Sequence, residues 1–536
     1  ESLGSSSLGP CKMPAAVDFA VEPLSEVAVE ILRGTTPEER ETAVVLALRP
    51  GPLAPYALPV VIPQPDHALR ERGLALLWSR AVSVAAAVVG TSHLRLVTEY
   101  EETFQRLAAD FRSHVVVTEH LKQYGDALTL ERAPACEVPA QLRAMPFSRG
   151  KAETCAAPQE PIEPIPQKVR TDAVEASCRL FVGVDYGRSD VKCAVVDAAG
   201  KELSTYVTRW WLPEDGSLGA KGERRYLDPA VMTSIQEPLR CLGEAALEAV
   251  AKALEPGVAG GRPVICGLGL SAAGCVRDGR LCGIPPSFGG CRREEAAPVL
   301  AHLELTILDY LRSHAAERLG GRVIVDGSCS TLLVNDGDAS AMWGASGLAR
   351  ATATPEGPKA VGLFLSCGTG LAGGIVQEGG LRCQGGVLEL GKLVMGLPRA
   401  SGGEVPVHDT LRLPGAAQGL AGTQRSFFNL LAARGGQRLE GKAEQRAVII
   451  AMQKRPLDHE VEEIFRTLGE WLARFVLELS EYLPFQLTDV EVGGKLTDAA
   501  SGEVMLQCAA EVLKVRGITR VRRAEESEFG QALAVA

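Results

Sequence analysis

Residues 184–192 read VDYGRSDVK and residues 366–374 read SCGTGLAGG, and it is the pairing of these two stretches that decides the fold. Each closes an apolar, strand-like run (180–184 and 361–366) with a glycine turn carrying hydroxyl or basic residues. Glycine lets backbone N–H groups approach a phosphoryl oxygen without a Cβ in the way, and Ser or Thr adds a hydroxyl donor. Taken alone, either stretch is a tight β-turn first and a phosphate loop second. Together they stand near the start of two similar α/β segments, so a two-lobed fold would set them face to face across one cleft.

Outward from the first loop, strands at 193–197 and 202–211, turned by residues 197–200, make an antiparallel meander. A helix over 229–254, a strand at 264–270, a helix over 294–319 and a strand at 323–325 complete a first lobe spanning 178–345. The second lobe, 346–536, repeats the logic with a strand at 361–366, the glycine loop, a strand at 374–377, helices, a strand at 489–492 and closing helices. Between the loops lies LVNDGDASA (333–341), where a polar cluster interrupts an apolar strand-to-helix transition. Asp336 is the candidate base there, although Asp336 or Asp338 in isolation reads more simply as a helix N-cap. Late in the chain, Val492-Gly493-Gly494 ends a strand just before a helix, a place for a flat base to lie against backbone.

The set D-x-G-x-S-x-x-K (Asp185, Gly187, Ser189, Lys192), N-D-x-D-A (from Asn335), C-G-T-G-x-x-G-G (from Cys367), L-E-L-G-K (from Leu388) and V-G-G (from Val492) resembles, in this order, the ROK family of sugar kinases. The polyphosphate/ATP glucokinase branch is closest in texture, and the likeness covers about residues 180–536. It implies an α/β fold, a two-lobed actin/hexokinase-like (ribonuclease H-like) domain closed by the helix FGQALAVA (529–536). It further implies that Asp185, Gly187, Ser189 and Lys192 form a first phosphate hairpin with Mg²⁺ near Asp185. Gly368, Thr369 and Gly370 would form the second phosphate loop, and Gly493 and Gly494 the adenosine loop. Asp336 would take the proton of the attacking sugar hydroxyl, while Asn335, Glu389 and Lys392 line the sugar site; the donor is ATP or polyphosphate.

Several positions depart from that pattern. Arg188 replaces a glycine of the first hairpin, and Lys392 replaces the histidine of L-E-L-G-H, so an ammonium that only donates stands where an imidazole could also accept. The stretch GRLCGIPPSFGG (279–290) has no asparagine for the sugar, and no cysteine-rich motif follows Met395, so no structural zinc is expected. Two readings stay open: an active hexose or amino-sugar kinase, and a catalytically inactive relative that binds sugar or nucleotide or serves as a structural subunit of a larger assembly. A homodimer is implied by the resemblance alone.

The rest of the chain bounds these readings. At 536 residues it exceeds one core, and Pro/Glu/Ala-rich residues 137–177 read as a linker after a mostly α module at 1–136. That module is expected to hold helices after Pro37, over 66–89 and over 99–112, with a short strand at 114–118. A net charge of −10 without Lys/Arg runs disfavours nucleic acid as a partner, and no basic helix-turn-helix marks a DNA-binding head. The apolar run 75–90 contains Arg80 and is too short to span a membrane. Fourteen dilute cysteines without C-x-x-C spacing suit a reducing compartment, cytoplasm or organelle matrix. A cleaved transit peptide is one reading of a first residue other than Met.

Overall fold

In the computed structural model, the structure describes residues 19–47, 56–114, 128–134, 179–187, 190–209, 234–255, 262–277, 279–282, 284–285, 288, 291–351, 361–368, 370–377, 380–381, 389–399, 405–407, 411–434, 442–483, 487–518, 520–524 and 529–536. The N-terminal part is corrected from mostly α to mixed α/β. It runs β1 (Val21–Pro23), a helix Leu24–Gly34, β2 (Arg40–Ala47), β3 (Tyr56–Pro63), a helix Arg70–Ser83 continuing into one π turn Val84–Val88, β4 (His93–Val97), a helix Glu101–Ser113 and β5 (Thr129–Arg132). Strands β3-β2-β4-β5 form one sheet. The helix expected after Pro37 does start there, as a single 3-10 turn Pro37–Glu39 in which Thr36 and Glu39 make a reciprocal capping box. The helix stops after Glu39 because the next residues, RETAVVLA, bring β-branched side chains whose burial alternates at first, and a strand takes over. The strand expected at 114–118 lies, beyond His114, outside the described residues.

The first lobe is built on β6 (Arg179–Tyr186), β7 (Asp190–Asp197), β8 (Glu202–Arg209) and β9 (Val264–Ala272). A small hairpin, β10 (Val276–Arg277) and β11 (Arg280–Leu281), follows, and then β12 (Ile324–Asn335). The sheet order is β12-β9-β6-β7-β8, an antiparallel meander β6-β7-β8 with β9 and β12 added in parallel. Leu180, Val182, Val184 and Tyr186 are buried beside helices Gln236–Ala253 and Leu303–Arg318. The helix expected over 294–319 is two: Arg293–Leu300 carries Pro298, which cannot donate to the helical ladder, and ends two residues later.

The second lobe holds β13 (Val361–Cys367), β14 (Leu371–Gln377), β15 (Gly380–Leu381), β16 (Gly396–Pro398), β17 (Asp489–Gly493) and β18 (Arg520–Arg523). Its main sheet has the order β15-β14-β13-β17-β18, antiparallel across the first three and parallel across the rest. Both lobes therefore share one topology, third-second-first-fourth-fifth in order of appearance, with the second strand reversed. This duplicated sheet is the actin/hexokinase-like fold. The lobes exchange helices. Asp336–Ala351, leaving β12, packs Ala341 against Phe364 and Val376 of the second sheet. The closing helix Gly530–Val535 returns to the first sheet so closely that a Cβ on Gly183 or Gly269 would lie 1.8 Å from the Ala532 carbonyl oxygen or 1.9 Å from that of Val535. Only glycine fits under such a contact.

The N-terminal part is fused to the second lobe. β1 pairs with β16, the Leu24 N–H donates to the Met395 carbonyl at 2.8 Å, and Val394 N–H donates to Ser83 Oγ at 3.0 Å. Phe19 meets Trp471 edge to face at 5.5 Å. One apolar core runs from Phe19, Leu77 and Val84 to Leu393, Trp471 and Phe475. Among the described residues no helix is long and apolar enough to cross a membrane.

Candidate active site

Parallel strands β6, β9 and β12 end at one edge, in register, and present Asp185 beside Ser271 and Asn335 beside Ala272. Ligands of parallel α/β sheets bind at such carboxyl ends. Asp185 is buried, accepts a 2.9 Å hydrogen bond from Ser271 Oγ, and stands across the hairpin from Lys192. Burial is the dominant influence and pushes its carboxyl up to about 6, against the smaller opposing pull of Ser271 and Lys192.

The chain then turns from β12 into helix Asp336–Ala351. The Gly337 N–H donates to Asn335 Oδ1 at 2.8 Å and to Asp336 Oδ1 at 2.9 Å, which locks the turn. Asn335 Nδ2 donates to the Gly274 carbonyl at 2.7 Å and reaches Glu389 Oε1 at 3.5 Å, the outer limit of a hydrogen bond. Glu389 pairs with Lys392 at 3.3 Å, and the Lys392 side chain is largely buried. Gln531 of the closing helix donates to the Asp336 carbonyl at 3.0 Å and to Ser340 Oγ at 2.7 Å, so the C-terminus braces this turn. Burial first, then the charges of Glu389 and Asp185, drive the Asp336 carboxyl up to about 7. The surroundings of Asp336 thus favour its protonated form relative to a free carboxyl.

The second-lobe loops meet in turn. Ser366 on β13 is in register with Gly493 on β17, and Gly494 adopts φ +110°, a conformation L side chains rarely take. A Cβ there would sit 2.1 Å from the Cys367 carbonyl oxygen, so the glycine pair and the start of the second glycine loop are in direct contact. At Gly368 and Gly370, by contrast, an added Cβ would make ordinary van der Waals contact among the described residues, 4.0 Å from the Gly370 carbonyl oxygen at Gly368 and 3.6 Å from the Gln418 amide at Gly370. Gly391, beside Glu389, lies next to the Leu371 carbonyl and Gln418, which joins the Glu389–Lys392 turn to this loop.

The structure therefore brings Asp185 and Lys192 together, joins Asn335, Asp336, Glu389 and Lys392, and sets the start of the second glycine loop, Ser366 and Cys367, beside Gly493 and Gly494, with Gly370 next to Gln418. Gly187 closes the first hairpin, its N–H donating to the Asp190 carbonyl at 2.9 Å; Ser189 and Thr369 lie outside the described residues, as does Arg188. Ser271 and Gln418 were not anticipated. A fully buried serine ending the apolar strand VICGLGLSA was a readable signal, whereas Gln418 offered none. Among the described residues no group of three or more His, Cys, Asp or Glu is placed to hold a metal ion by itself.

No family model matches the chain and no curated protein does. Its structural neighbours are ROK-family proteins. It is similar to the ROK hexokinase from Thermus thermophilus at 20% identity, over 67% of this chain and 96% of that one, with a TM-score of 0.42. It is similar to a ROK family glucokinase from Streptomyces griseus, solved in complex with glucose and AMPPNP, at 19% identity, 67% and 98% coverage and a TM-score of 0.39. A ROK family transcriptional regulator, a homolog of the E. coli MLC protein, matches at 14% identity, 67% and 77% coverage and a TM-score of 0.44.

Proposed function

We propose that the chain phosphorylates a hexose or amino sugar, with ATP or polyphosphate as donor and Asp336 as the general base. The observation that carries this reading is the Asp336 turn itself: a half-buried carboxylate where β12 hands over to the helix that packs on the second sheet, its neighbour Asn335 reaching Glu389. Asp336 accepts the proton of the attacking hydroxyl, a role worth about 10²–10⁴ in rate. Asn335 and Glu389 hold neighbouring hydroxyls, and Lys392 donates to the sugar while holding Glu389 in place. Gly368 and Gly370, where an added Cβ would meet nothing closer than 3.6 Å among the described residues, receive phosphate, and Gly493 and Gly494 receive the adenine side of the donor.

A divalent cation fits this site. Mg²⁺ keeps several waters and takes one or two carboxylates plus the substrate's phosphates. Asp185, buried and pushed up to about 6, is a carboxylate whose charge is incompletely balanced by the chain itself, the electrostatic setting a cation relieves. When bound, Mg²⁺ supplies charge neutralisation on the transferred phosphoryl group. Ser271 orients Asp185 for it through their hydrogen bond.

The Glu389–Lys392 ion pair favours the second reading, an inactive sugar- or nucleotide-binding relative, to the extent that the ammonium already engages the carboxylate meant for a hydroxyl. A coupled ADP-release assay with ATP, Mg²⁺ and a panel of hexoses and N-acetylhexosamines, beside Asp336→Ala, separates the two. Sugar-dependent turnover lost in the variant supports the kinase; no turnover from folded protein with any sugar or with polyphosphate supports the binding protein.

A further inference from the structure

Beside the sugar site the hairpin β10–β11 carries a feature its proposed chemistry leaves unused. The register Val276↔Leu281 places Cys275 directly opposite Cys282, and the Cys282 N–H donates to the Cys275 carbonyl at 2.8 Å. A hydrogen-bonded antiparallel pair of this kind has its Cα atoms about 5.5 Å apart. That lies inside the window of roughly 4.4–6.8 Å that a disulfide spans. The two side chains pack together, unbridged, with their thiols in hydrogen-bond contact, Cys275 buried and Cys282 partly open to solvent.

The pair is built into the site's framework. Gly274, the residue before Cys275, gives its carbonyl to Asn335 Nδ2 at 2.7 Å. The charges of Glu389 and Lys392 both act on the Cys275 thiol. A bond between the two sulfurs locks the hairpin and so acts on the strand end that carries the Gly274 carbonyl, and through it on the amide that reaches Glu389.

We propose that Cys275 and Cys282 form a reversible disulfide that weakens sugar binding at the Asn335–Glu389 site, an inference that rests on reading that site as the sugar pocket. The oxidant is a disulfide, of the glutathione or dithiol-protein class. The Cys282 thiolate, on the accessible side, attacks one sulfur of the oxidant and expels the other as a thiolate. The Cys275 thiolate then displaces the remaining half from Cys282. Two thiol protons and two electrons leave the chain, and the oxidant's S–S bond becomes two thiols. The neighbouring Cys282 thiol and burial hold Cys275 above the ordinary thiol range in the reduced chain, so Cys282, on the accessible side, is the first to react.

The test uses the full chain, incubated with oxidised glutathione or with dithiothreitol, alkylated and digested with trypsin. Arg277 and Arg280 lie between the two cysteines, so cleavage separates them and they reappear as one mass only if bridged. The expected result is that linked mass in the oxidised sample, with a rise of about fivefold or more in sugar KM in the ADP-release assay and full recovery on reduction. Cys282→Ser and Cys282→Ala are expected to match reduced wild type and to ignore the oxidant. Absence of the linked mass under excess oxidant overturns the proposal, as does a complete bridge with unchanged KM. If reduced protein turns over no sugar, it is the kinase reading that has failed, while the peptide map still decides the bridge.

Discussion

Replacing Asp336 with Asn should make the protein more stable and nearly inactive at the same time. Burial and the charges of Glu389 and Asp185 lift the Asp336 carboxyl from the ordinary 3.8 to about 7. A folded-state value above the unfolded one means that the native state holds its proton more tightly. The stability this contributes is complete below about pH 3.8 and is lost as pH climbs through about 7. That rise corresponds to at most about 4 kcal/mol of penalty on the charged form, and the partly open side chain trims it. Asn keeps the shape and carries no charge, so at pH 8 the variant should resist urea by about 1–4 kcal/mol more than wild type, and at pH 4 the two should coincide. Asp185, Asp338 and Glu389 stay in both proteins, and removing the Asp336 charge relieves their mutual repulsion, which is part of the expected gain. Turnover should fall by about 10²–10⁴, because an amide cannot accept the hydroxyl proton. Wild-type kcat/KM should rise about tenfold between pH 6 and pH 8 as the carboxylate ionises. Urea-unfolding curves for the two proteins that run parallel from pH 4 to pH 8 would refute the claim that the fold disfavours the Asp336 charge.

Ser271→Ala removes the hydrogen bond that favours ionised Asp185, so the acidic limb of the pH–rate profile should move to higher pH while the fold holds; an unmoved limb in the kinetic assay counts against Asp185 as a charged participant. Gly183→Ala forces a Cβ onto the Ala532 carbonyl and should cost about 1–3 kcal/mol in urea unfolding, with turnover falling too because Gln531 loses its hold on Asp336. Arg80→Ala strands Glu478, buried against it at 3.5 Å, and should cost about 3–5 kcal/mol, with Arg80→Leu/Glu478→Leu recovering most of it in the same measurement.

The lobes were legible because their signals are local. Strand, glycine turn and polar cluster follow each other within a dozen residues, and the backbone needs of close approach admit few alternatives to glycine. The first-lobe strand after the helices was seen only in part, 323–325 against Ile324–Asn335, because as an edge strand it exposes Ile324 and Leu332 and shows no continuous apolar run. The N-terminal sheet was missed for a different reason. Thr36-Pro37-Glu38-Glu39 is a genuine helix start, and nothing within the cap reveals that the apolar run behind it pairs with β3, the next strand along the chain, and with β4, some fifty residues on. Helix exchange between lobes was invisible for the same cause: the need for glycine at 183 and 269 is set by residues some 260–350 positions away.

The fusion of the N-terminal part to the second lobe bears on the site more than its distance in sequence suggests. The turn Leu390–Lys392 sits against the π turn Val84–Val88, and the residues just after it are bound in succession: Val394 by Ser83, Met395 by Leu24, and Gly396–Pro398 by β1. Helices widen into a π turn where an inserted residue re-aims the backbone, frequently at functional sites. Here the wider turn lies where the module meets Leu390, leaving Lys392 buried against Glu389. The segment that presents Glu389 and Lys392 is thus held from outside the two lobes, by a core that includes Phe19, Leu77 and Val84. Any motion of the module on the second lobe must move the Glu389–Lys392 pair with it, which makes the described part of residues 19–134 a scaffold for the candidate site.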